Sequence, residues 1–164
     1  MNPALLDEVN KQIQHEQSNA HIYEGVAVYF QGLNLRGLAA WFYKQAGDER
    51  IHGAKLIKHL VDRNQQVKLG AISAPKGTFE NPLEAVQGTL DLEQATTRLI
   101  YRLYELARAE KDYPLEILLQ WYINEQVEEE DWATELRDET ARFQSSAAHL
   151  YQLDHKWAKR VSAG

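Results

Sequence analysis

Four glutamates and one histidine occupy positions that helical periodicity would otherwise give to apolar side chains. They are Glu16, Glu49, His52, Glu93 and Glu129. Glu49 and His52 are three residues apart, which places a carboxylate and an imidazole side by side on one helix face. This pair alone is a weak indication, because solvated pairs with the same spacing are common. Carboxylate oxygens with one imidazole suit iron, with manganese and zinc as alternatives, so the chemistry to consider is metal binding.

Helical periodicity also predicts the elements that would have to bring these side chains together. The apolar positions predict five helices, at about residues 3–30, 36–63, 81–110, 112–143 and 147–161. Asn2-Pro3 and Asn81-Pro82 are typical helix starts, in which asparagine caps the helix and proline occupies the first turn. The short breaks after the first and third helices predict two antiparallel helical hairpins.

The segment from Asn64 to Glu80 has 17 residues without helical period, which is unusual within a compact domain. Fully extended, such a segment reaches roughly 56 Å, whereas a helix of about 28 residues is about 42 Å long. It can therefore run the whole length of a bundle and start the third helix parallel to the second. The lengths predict an all-α fold: a four-helix bundle over about residues 3–143, with one long crossover between helices 2 and 3, an arrangement that resembles ferritin-like folds.

The depth of the four glutamates is a second test, because unrelated glutamates would fall at unrelated heights in the bundle. Residues at equal depth in an antiparallel hairpin are equally far from its turn. The two glutamates of the first hairpin are centred on Gly32-Leu33, and those of the second hairpin are centred on Lys111. The sequence therefore predicts one layer of four carboxylates and one imidazole at mid-height in the core.

Such a layer requires positive charge, because a buried charge without a partner costs several kcal/mol even after relaxation. Two divalent metal ions supply four positive charges against four negative ones. Two trivalent ions with an oxygen dianion between them again supply a net charge of +4. The same ligands therefore tolerate both redox states of iron. The alternative is that a glutamate is assigned to the wrong helix face or that its side chain reaches out to solvent. This would explain a single glutamate in an apolar stripe, but it explains four at matched depth less well.

The composition limits both the partners and the chemistry. Of 164 residues, 18 are basic and 24 acidic, and with a net charge of −6 and no basic arm we expect neither nucleic acid nor membrane as a partner. The absence of cysteine excludes disulfides, thiolate nucleophiles, cysteine zinc sites and iron–sulfur clusters from this chain. The first residues lack a signal-peptide pattern, and we expect a cytoplasmic protein.

Four segments of the sequence resemble the ferritin family, specifically the non-haem ferritins of bacteria and archaea. They are IQHEQSNAHIY (13–23), QAGDERIHGAKL (45–56), DLEQ (91–94) and DYPLEILLQWYINEQVEEED (112–131). The resemblance covers nearly the whole chain and implies a single ferritin-like domain over residues 1–164. It also implies iron storage, in which dioxygen or hydrogen peroxide oxidises Fe(II) at a dinuclear ferroxidase centre and ferric mineral accumulates inside an oligomeric shell.

The resemblance assigns roles to individual residues. By similarity, Glu16, Glu49 and His52 hold the first iron. Glu49 also bridges to a second iron, which Glu93 and Glu129 hold. Because the fourth helix offers Gln126-x-x-Glu129 where a symmetric di-iron bundle has a second Glu-x-x-His, the second iron lacks a nitrogen ligand.

Further residues are assigned around the iron pair. Gln126 lies beside the bound dioxygen species or water, Tyr23 matches a tyrosine that can donate one electron, and Trp121 is a weaker candidate for that donation. A third iron position is matched by Asp48, Glu125 and Glu128. The alternative for the two aromatic residues is core packing. For the three acidic residues it is a solvated acidic face.

The resemblance also bears on haem and on assembly. Bacterioferritins place a methionine next to the bridging glutamate, whereas this chain has Arg50 there and its only methionine is Met1, so no haem is expected. The fifth segment has an apolar stripe, but a four-helix bundle has no surface left to cover. We therefore expect the fifth helix to pack against other subunits, and by similarity the assembly is a homo-oligomeric 24-mer shell.

Three other functions are compatible with parts of this pattern. A di-iron oxidase or peroxidase of the rubrerythrin type usually carries a cysteine-rich electron-transfer domain, which this chain lacks. A DNA-protecting protein of the Dps type would need a basic tail and ligands shared between subunits. A structural bundle with a degenerate site is the alternative from a different class, and the five intact ligands argue against it.

Overall fold

The protein is all-α, and its computed structural model describes residues 1–163 as five helices and their connections. The helices are α1 (Pro3–Gly32), α2 (Arg36–Asp62), α3 (Pro82–Ala109), α4 (Tyr113–Phe143) and α5 (Ala147–Ala163). The predicted fold class is confirmed, with four long helices, a long segment between α2 and α3, and a short C-terminal helix. Gly164, the last residue of the domain expected from the sequence, lies outside the described residues.

Polar side chains set the starts of three helices. Asn2, Asn81 and Asp112 cap α1, α3 and α4, and each side chain accepts a hydrogen bond from a backbone N–H of the first helical turn. A proline follows each cap within two residues, where its missing N–H costs nothing. The caps explain why α1 and α3 begin where the asparagine–proline pattern predicts and why α4 begins after Asp112.

A residue in the left-handed backbone conformation follows the end of three of the helices. Asn34, Asn64 and Lys111 have φ values of 59°, 54° and 56°. In each case the next backbone N–H bonds to a carbonyl five residues earlier, which is the bonding pattern of a Schellman cap. Asparagine tolerates this conformation better than most residues. The turn after α1 therefore depends on Asn34, and Gly32 stays within the helix.

The crossover, residues 64–80, runs along α1 from one end of the bundle to the other. Asn10 near the start of α1 accepts a 2.6 Å hydrogen bond from the Lys68 N–H and donates one to the carbonyl of Gln66. Near the end of α1, the rings of Tyr29 and Phe79 pack 5.0 Å apart. The crossover thus connects the α1–α2 hairpin to the α3–α4 hairpin and makes α3 parallel to α2. Within residues 1–163, none of the helices offers a stretch of the length and apolarity that a bilayer requires.

Two apolar clusters fill the bundle, one on each side of a polar layer. One cluster surrounds Phe30 and Phe42, and the other surrounds Leu60 and Leu115. The four glutamates and His52 lie between them and are buried. The core is therefore interrupted at mid-height, where the sequence predicts the layer.

The apolar face of α5 packs on its own bundle. Leu153 and Trp157 are 3% and 0% exposed and belong to the same apolar cluster as Trp41 and Trp132. The expectation that this stripe is left for other subunits is therefore wrong. The first turns of α2 and the last turns of α4 present an uncovered apolar surface near one end of the bundle, and α5 covers it.

Two contacts fix α5 against the start of α2. The backbone N–H of Leu38 donates a 2.8 Å hydrogen bond to Asp154 Oδ1, which caps a helix that lacks a side-chain cap of its own. Gly37 permits the close approach, because a Cβ atom at this position would lie 2.0 Å from the carbonyl oxygen of Asp154. The helix start and the C-terminal helix thus depend on each other.

Candidate metal centre

Each of the four long helices contributes one carboxylate to the middle of the bundle. Glu16, Glu49, Glu93 and Glu129 are at most 7% exposed, and His52 is 4% exposed. Across residues 1–163, His52 is the only basic group within 4.0 Å of any of these carboxylates. The layer therefore carries negative charge that protons or metal ions must neutralise.

Glu16, Glu49 and His52 form a compact group. One possible ligand atom from each residue lies within 4.8 Å of the other two. His52 Nδ1 is 4.0 Å from Glu16 Oε2 and 3.9 Å from Glu49 Oε2. Glu16 Oε2 is buried and has no hydrogen-bond partner. The group could hold one ion at ordinary metal–ligand distances of about 2 Å.

Neutral amides orient the carboxylates of this half of the layer. Gln12, one turn before Glu16 on α1, donates a 2.7 Å hydrogen bond to Glu16 Oε1. Asn19, one turn after it, donates a 3.4 Å hydrogen bond to Glu49 Oε2 and a 3.2 Å bond to Thr96 Oγ1. Because the amides bring no charge, they position the carboxylates without reducing their demand for a cation.

Glu93 is held by a tyrosine and a glutamine. The Tyr23 hydroxyl donates a short hydrogen bond to Glu93 Oε1. Gln126 Nε2 lies 3.2 Å from Glu93 Oε2 and 3.3 Å from the Glu93 carbonyl oxygen. Both predicted site residues thus contact the same carboxylate, and both are buried.

Glu129 has two donors of its own, and both bond the same oxygen. Gln45 Nε2 donates a 2.9 Å hydrogen bond to Glu129 Oε2, and the indole N–H of Trp132 donates a second one. Trp132 follows Glu129 by three residues on α4, so the two side chains lie on one helix face. The other carboxylate oxygen is left without a donor among these contacts.

Burial raises the pKa values of these carboxyls because it disfavours the charged form. The pKa of Glu49 lies well above its ordinary value, mainly through desolvation and then through repulsion by Glu16. Desolvation raises the pKa of Glu93 to about 7, although hydrogen bonds from its two donors favour the ionised form. Desolvation, followed by repulsion from Glu93, raises the pKa of Glu129 to about 8. The metal-free layer therefore retains protons near neutral pH, and incoming cations displace them.

A groove of about 1030 Å³ opens beside the layer, between α2 and α4. His52 and Glu129 form part of its wall, so the groove gives access to the buried carboxylates. Trp121 also lines it and packs edge-on against the His52 imidazole at 5.5 Å, with Lys55 Nζ 4.3 Å from the Trp121 ring centre. The groove therefore connects the buried layer with solvent.

The three residues that match a third iron position all line this groove but do not form one group. Glu125 joins the layer, because it offers a ligand atom within 4.8 Å of ligand atoms of His52 and Glu129. Asp48 forms a 2.7 Å ion pair with Lys44 on the groove wall. Glu128 is exposed. A lysine therefore already neutralises one of the three acidic side chains.

Four hydrogen-bond donors of the layer have no role that the sequence pattern predicts. They are Gln12, Asn19, Gln45 and Trp132. Gln12 and Trp132 lie four and three residues from the glutamates they contact, which is the spacing of neighbours on a helix. Spacing could therefore have indicated these two, whereas Asn19 and Gln45 bond glutamates of other helices and spacing gives no comparable signal.

Residues 6–143 match the ferritin-like domain family. The match runs from the first turn of α1 to the end of α4 at Phe143 and includes every residue of the layer. The chain belongs to the ferritin family.

Individual relatives of this ferritin cover almost its full length. It is 37% identical over 157 residues to the bacterial non-heme ferritin of Staphylococcus aureus, with 92% of each chain covered. It is 35% identical over 156 residues to the bacterial non-heme ferritin of Staphylococcus haemolyticus, covering 95% of this chain and 94% of that protein.

Solved ferritin structures share its fold. The open pore ferritin of the archaeon Archaeoglobus fulgidus matches with a TM-score of 0.94 at 30% identity, over 96% of this chain and 98% of that one. A closed form of the same archaeal ferritin, made by site-directed mutagenesis, matches with a TM-score of 0.93 at 32% identity, over 96% of both chains. The helical architecture of this ferritin, including α5, is therefore that of ferritins already solved.

Proposed function

We propose that the chain is an iron-storage ferritin. It oxidises Fe(II) at a dinuclear ferroxidase centre within each subunit and deposits ferric mineral inside an oligomeric shell. The observation that carries the proposal is the buried layer of four carboxylates with one imidazole and no other basic neighbour within residues 1–163. Family membership and the similarity to bacterial non-haem ferritins support the same assignment.

The layer divides into two binding positions for the substrate iron. Glu16, Glu49 and His52 hold the first Fe(II), and their spacing supports this assignment. Glu93 and Glu129 hold the second, with Glu49 as the bridge. The second position has oxygen ligands only, so it binds iron less tightly than the first and releases Fe(III) more readily.

The electron balance of the reaction is simple. Two Fe(II) ions give two electrons to one dioxygen, which takes up two protons and leaves as hydrogen peroxide. With hydrogen peroxide as the oxidant, the same two electrons and two protons break its O–O bond and give two water molecules. Gln126 can donate a hydrogen bond to the oxygen species beside Glu93, and Tyr23 can supply one further electron.

The groove between α2 and α4 is the proposed route between the centre and the store. Glu125 stands where the groove meets the layer and can receive iron from Glu129 or His52. Asp48 and Glu128 provide further carboxylates along the wall. A third iron bound there would have to displace Lys44 from Asp48, so we expect this position to fill after the first two.

Storage requires a closed assembly, and we propose a 24-mer shell as expected from the family resemblance. Chains of the shell associate through side chains that the single subunit leaves exposed, such as Tyr43, Ile117 and Tyr151. We propose no haem site, because Arg50, beside the bridging glutamate, forms an ion pair with Glu24.

Aerobic addition of Fe(II) tests the proposed function. The wild-type protein is expected to consume oxygen rapidly and to form Fe(III) that stays with the protein, measured as iron per subunit together with particle size. Glu49→Ala and His52→Ala remove ligands of the first position, and we expect oxidation at least roughly tenfold slower in both.

The matched control is Glu105→Ala, which removes an exposed carboxylate of α3 and should oxidise iron at the wild-type rate. Oxygen consumption that is equally fast in all three variants would refute the dinuclear centre. A wild-type protein that binds metal but takes up no iron would instead indicate a structural bundle with a degenerate site.

A further inference from the structure

Three of the four tryptophans form one continuous chain of contacts from the metal centre to α5. The ring centres of Trp132 and Trp41 are 5.6 Å apart, and those of Trp41 and Trp157 are 4.8 Å apart. Trp132 and Trp157 also approach each other directly, at 6.4 Å. All three indoles are at most 7% exposed, so little of their surface meets water even though Trp41 and Trp132 border the groove between α2 and α4.

The inner end of this tryptophan chain contacts one carboxylate of the proposed second iron position directly and approaches the other through Tyr23. The indole N–H of Trp132 donates a hydrogen bond to Glu129. The ring of Tyr23 lies 6.1 Å from that of Trp132, and the Tyr23 hydroxyl donates to Glu93. An electron can therefore pass between the centre and Trp132 without crossing solvent.

The outer end of the chain has a proton acceptor. The indole N–H of Trp157 donates a 3.0 Å hydrogen bond to Glu139 Oε2. The other Glu139 oxygen pairs with Lys156, and the guanidinium of Arg160 lies 4.4 Å from the Trp157 ring centre. Loss of an electron from Trp157 can thus be accompanied by transfer of its indole proton to Glu139.

Apolar packing alone does not explain the choice of residues. The indole N–H of Trp41 is buried and has no hydrogen-bond partner, a cost that a phenylalanine or leucine at this position would avoid. Tryptophan and tyrosine are also the side chains that give up one electron most readily. A row of them between a redox centre and a proton acceptor therefore has a chemical use that other large side chains lack.

We propose that Trp132, Trp41 and Trp157 are an electron-transfer chain that supplies the dinuclear centre with one electron when the bound iron cannot supply two. The proposal rests on the ferroxidase function proposed above. It applies when hydrogen peroxide meets a centre that holds a single Fe(II). The chain then protects the centre, because the oxidising equivalent moves away from the iron ligands and onto Trp157.

The electrons and protons balance in this reaction. Hydrogen peroxide takes one electron from Fe(II), one electron from Trp157 through Trp41 and Trp132, and two protons, and its O–O bond breaks to give two waters. One of the two protons is balanced by the indole proton that Trp157 gives to Glu139. The products are Fe(III) and a neutral tryptophan radical. A later Fe(II) ion reduces that radical, and the indole recovers its proton from Glu139.

The test loads the assembled protein anaerobically with one Fe(II) per subunit, adds one equivalent of hydrogen peroxide, and freezes samples for electron paramagnetic resonance. Ring-deuterated tryptophan distinguishes a tryptophan radical from a tyrosyl radical. We expect a tryptophan radical in the wild type and its loss in Trp157→Phe. Tyr101→Phe, a change at an exposed aromatic position of α3, should keep the signal.

A tryptophan signal that persists in Trp157→Phe at wild-type amplitude would overturn the proposal, as would equal loss in Tyr101→Phe. Because buried Trp157 could be needed for folding, mass spectrometry of the wild type after repeated peroxide additions gives a second readout. It should find oxidised Trp157 in excess over oxidised Trp121, and the reverse order would contradict the chain.

Aerobic oxidation with two Fe(II) per subunit reports the ferroxidase function separately, since the iron then supplies both electrons. Absence of Fe(III) formation in that assay would overturn the proposed function itself. Normal Fe(III) formation without a tryptophan radical in the peroxide assay would overturn only the electron-transfer chain.

Discussion

At the scale of single residues, the buried carboxylates store protons when no metal is present. The folded state holds Glu93 and Glu129 with pKa values of about 7 and 8, against an ordinary value of 4.5 in the unfolded chain. Between pH 4.5 and 8 the folded chain therefore binds more protons than the unfolded one. Below this window both states are protonated, and above it both are ionised, so the stability changes within it.

We predict that the metal-free protein loses stability as the pH rises from about 5 to about 8, by up to about 1.4 kcal/mol per pH unit for each retained proton. Chemical unfolding in the presence of a chelator at several pH values measures this slope. The sign follows from the raised pKa values, because deprotonation of the folded state leaves repelling charges in the core.

The variant Glu93→Gln removes one titrating group at nearly constant volume and should flatten the slope. Glu105→Gln, at an exposed position, should leave it unchanged. A slope of opposite sign in the wild type would mean that the layer is hydrated and ionised without metal.

The burial of the layer could be predicted from the sequence at this scale, since Glu16, Glu49, Glu93 and Glu129 interrupt apolar stripes at matched depth. The hydrogen bonds around them could not. Whether Asn19 bonds Glu49 or another group depends on rotamers and on the distance between two helices, which a periodic pattern does not contain. The ion pair between Lys44 and Asp48 is hidden for the same reason.

At the scale of elements, α5 and the start of α2 stabilise each other. Asp154 caps α2 from a helix more than one hundred residues later in the chain, so a local sequence pattern could not have indicated it. The amphipathic stripe of α5 correctly predicts one buried face. It does not say which surface covers that face, and the uncovered apolar surface between α2 and α4 is visible only in three dimensions.

We predict opposite effects for two glycine-to-alanine changes within α2. In Gly37→Ala the new methyl group would meet the backbone of α5, so we expect a loss of about 1–3 kcal/mol and displacement of α5. In Gly47→Ala nothing lies within 4 Å of the new methyl group, so better helix propensity should add about 0.5–1 kcal/mol. Thermal unfolding and tryptophan fluorescence measure both. Equal stability of the two variants would contradict the docking contact.

At the scale of the whole molecule, the crossover decides how the two hairpins align. The segment's length predicts that it spans the bundle, and its contacts with α1 agree from Asn10 at one end to Tyr29 at the other. Length alone could not predict which helix it follows. Asn10 fixes the crossover to α1, because its side chain accepts a hydrogen bond from the Lys68 N–H and donates one to the Gln66 carbonyl.

We predict that Asn10→Ala loosens the crossover and lowers stability by about 1–3 kcal/mol, because it leaves backbone groups of the crossover without partners. Limited proteolysis should then cut within residues 64–80 faster than in the wild type. The neighbouring change Lys11→Ala removes only exposed ion pairs and should not alter the cutting rate. Similar rates in all three proteins would show that the crossover is held elsewhere.

Because a polar layer crosses the bundle at mid-height, the two apolar clusters are separated by carboxylates that repel one another when ionised. A pair of ions bound at the proposed centre would draw side chains from all four helices together. Under iron shortage, newly made subunits would therefore be least rigid at mid-height. Iron bound at the proposed centre would make the subunits more rigid before any mineral forms in the shell.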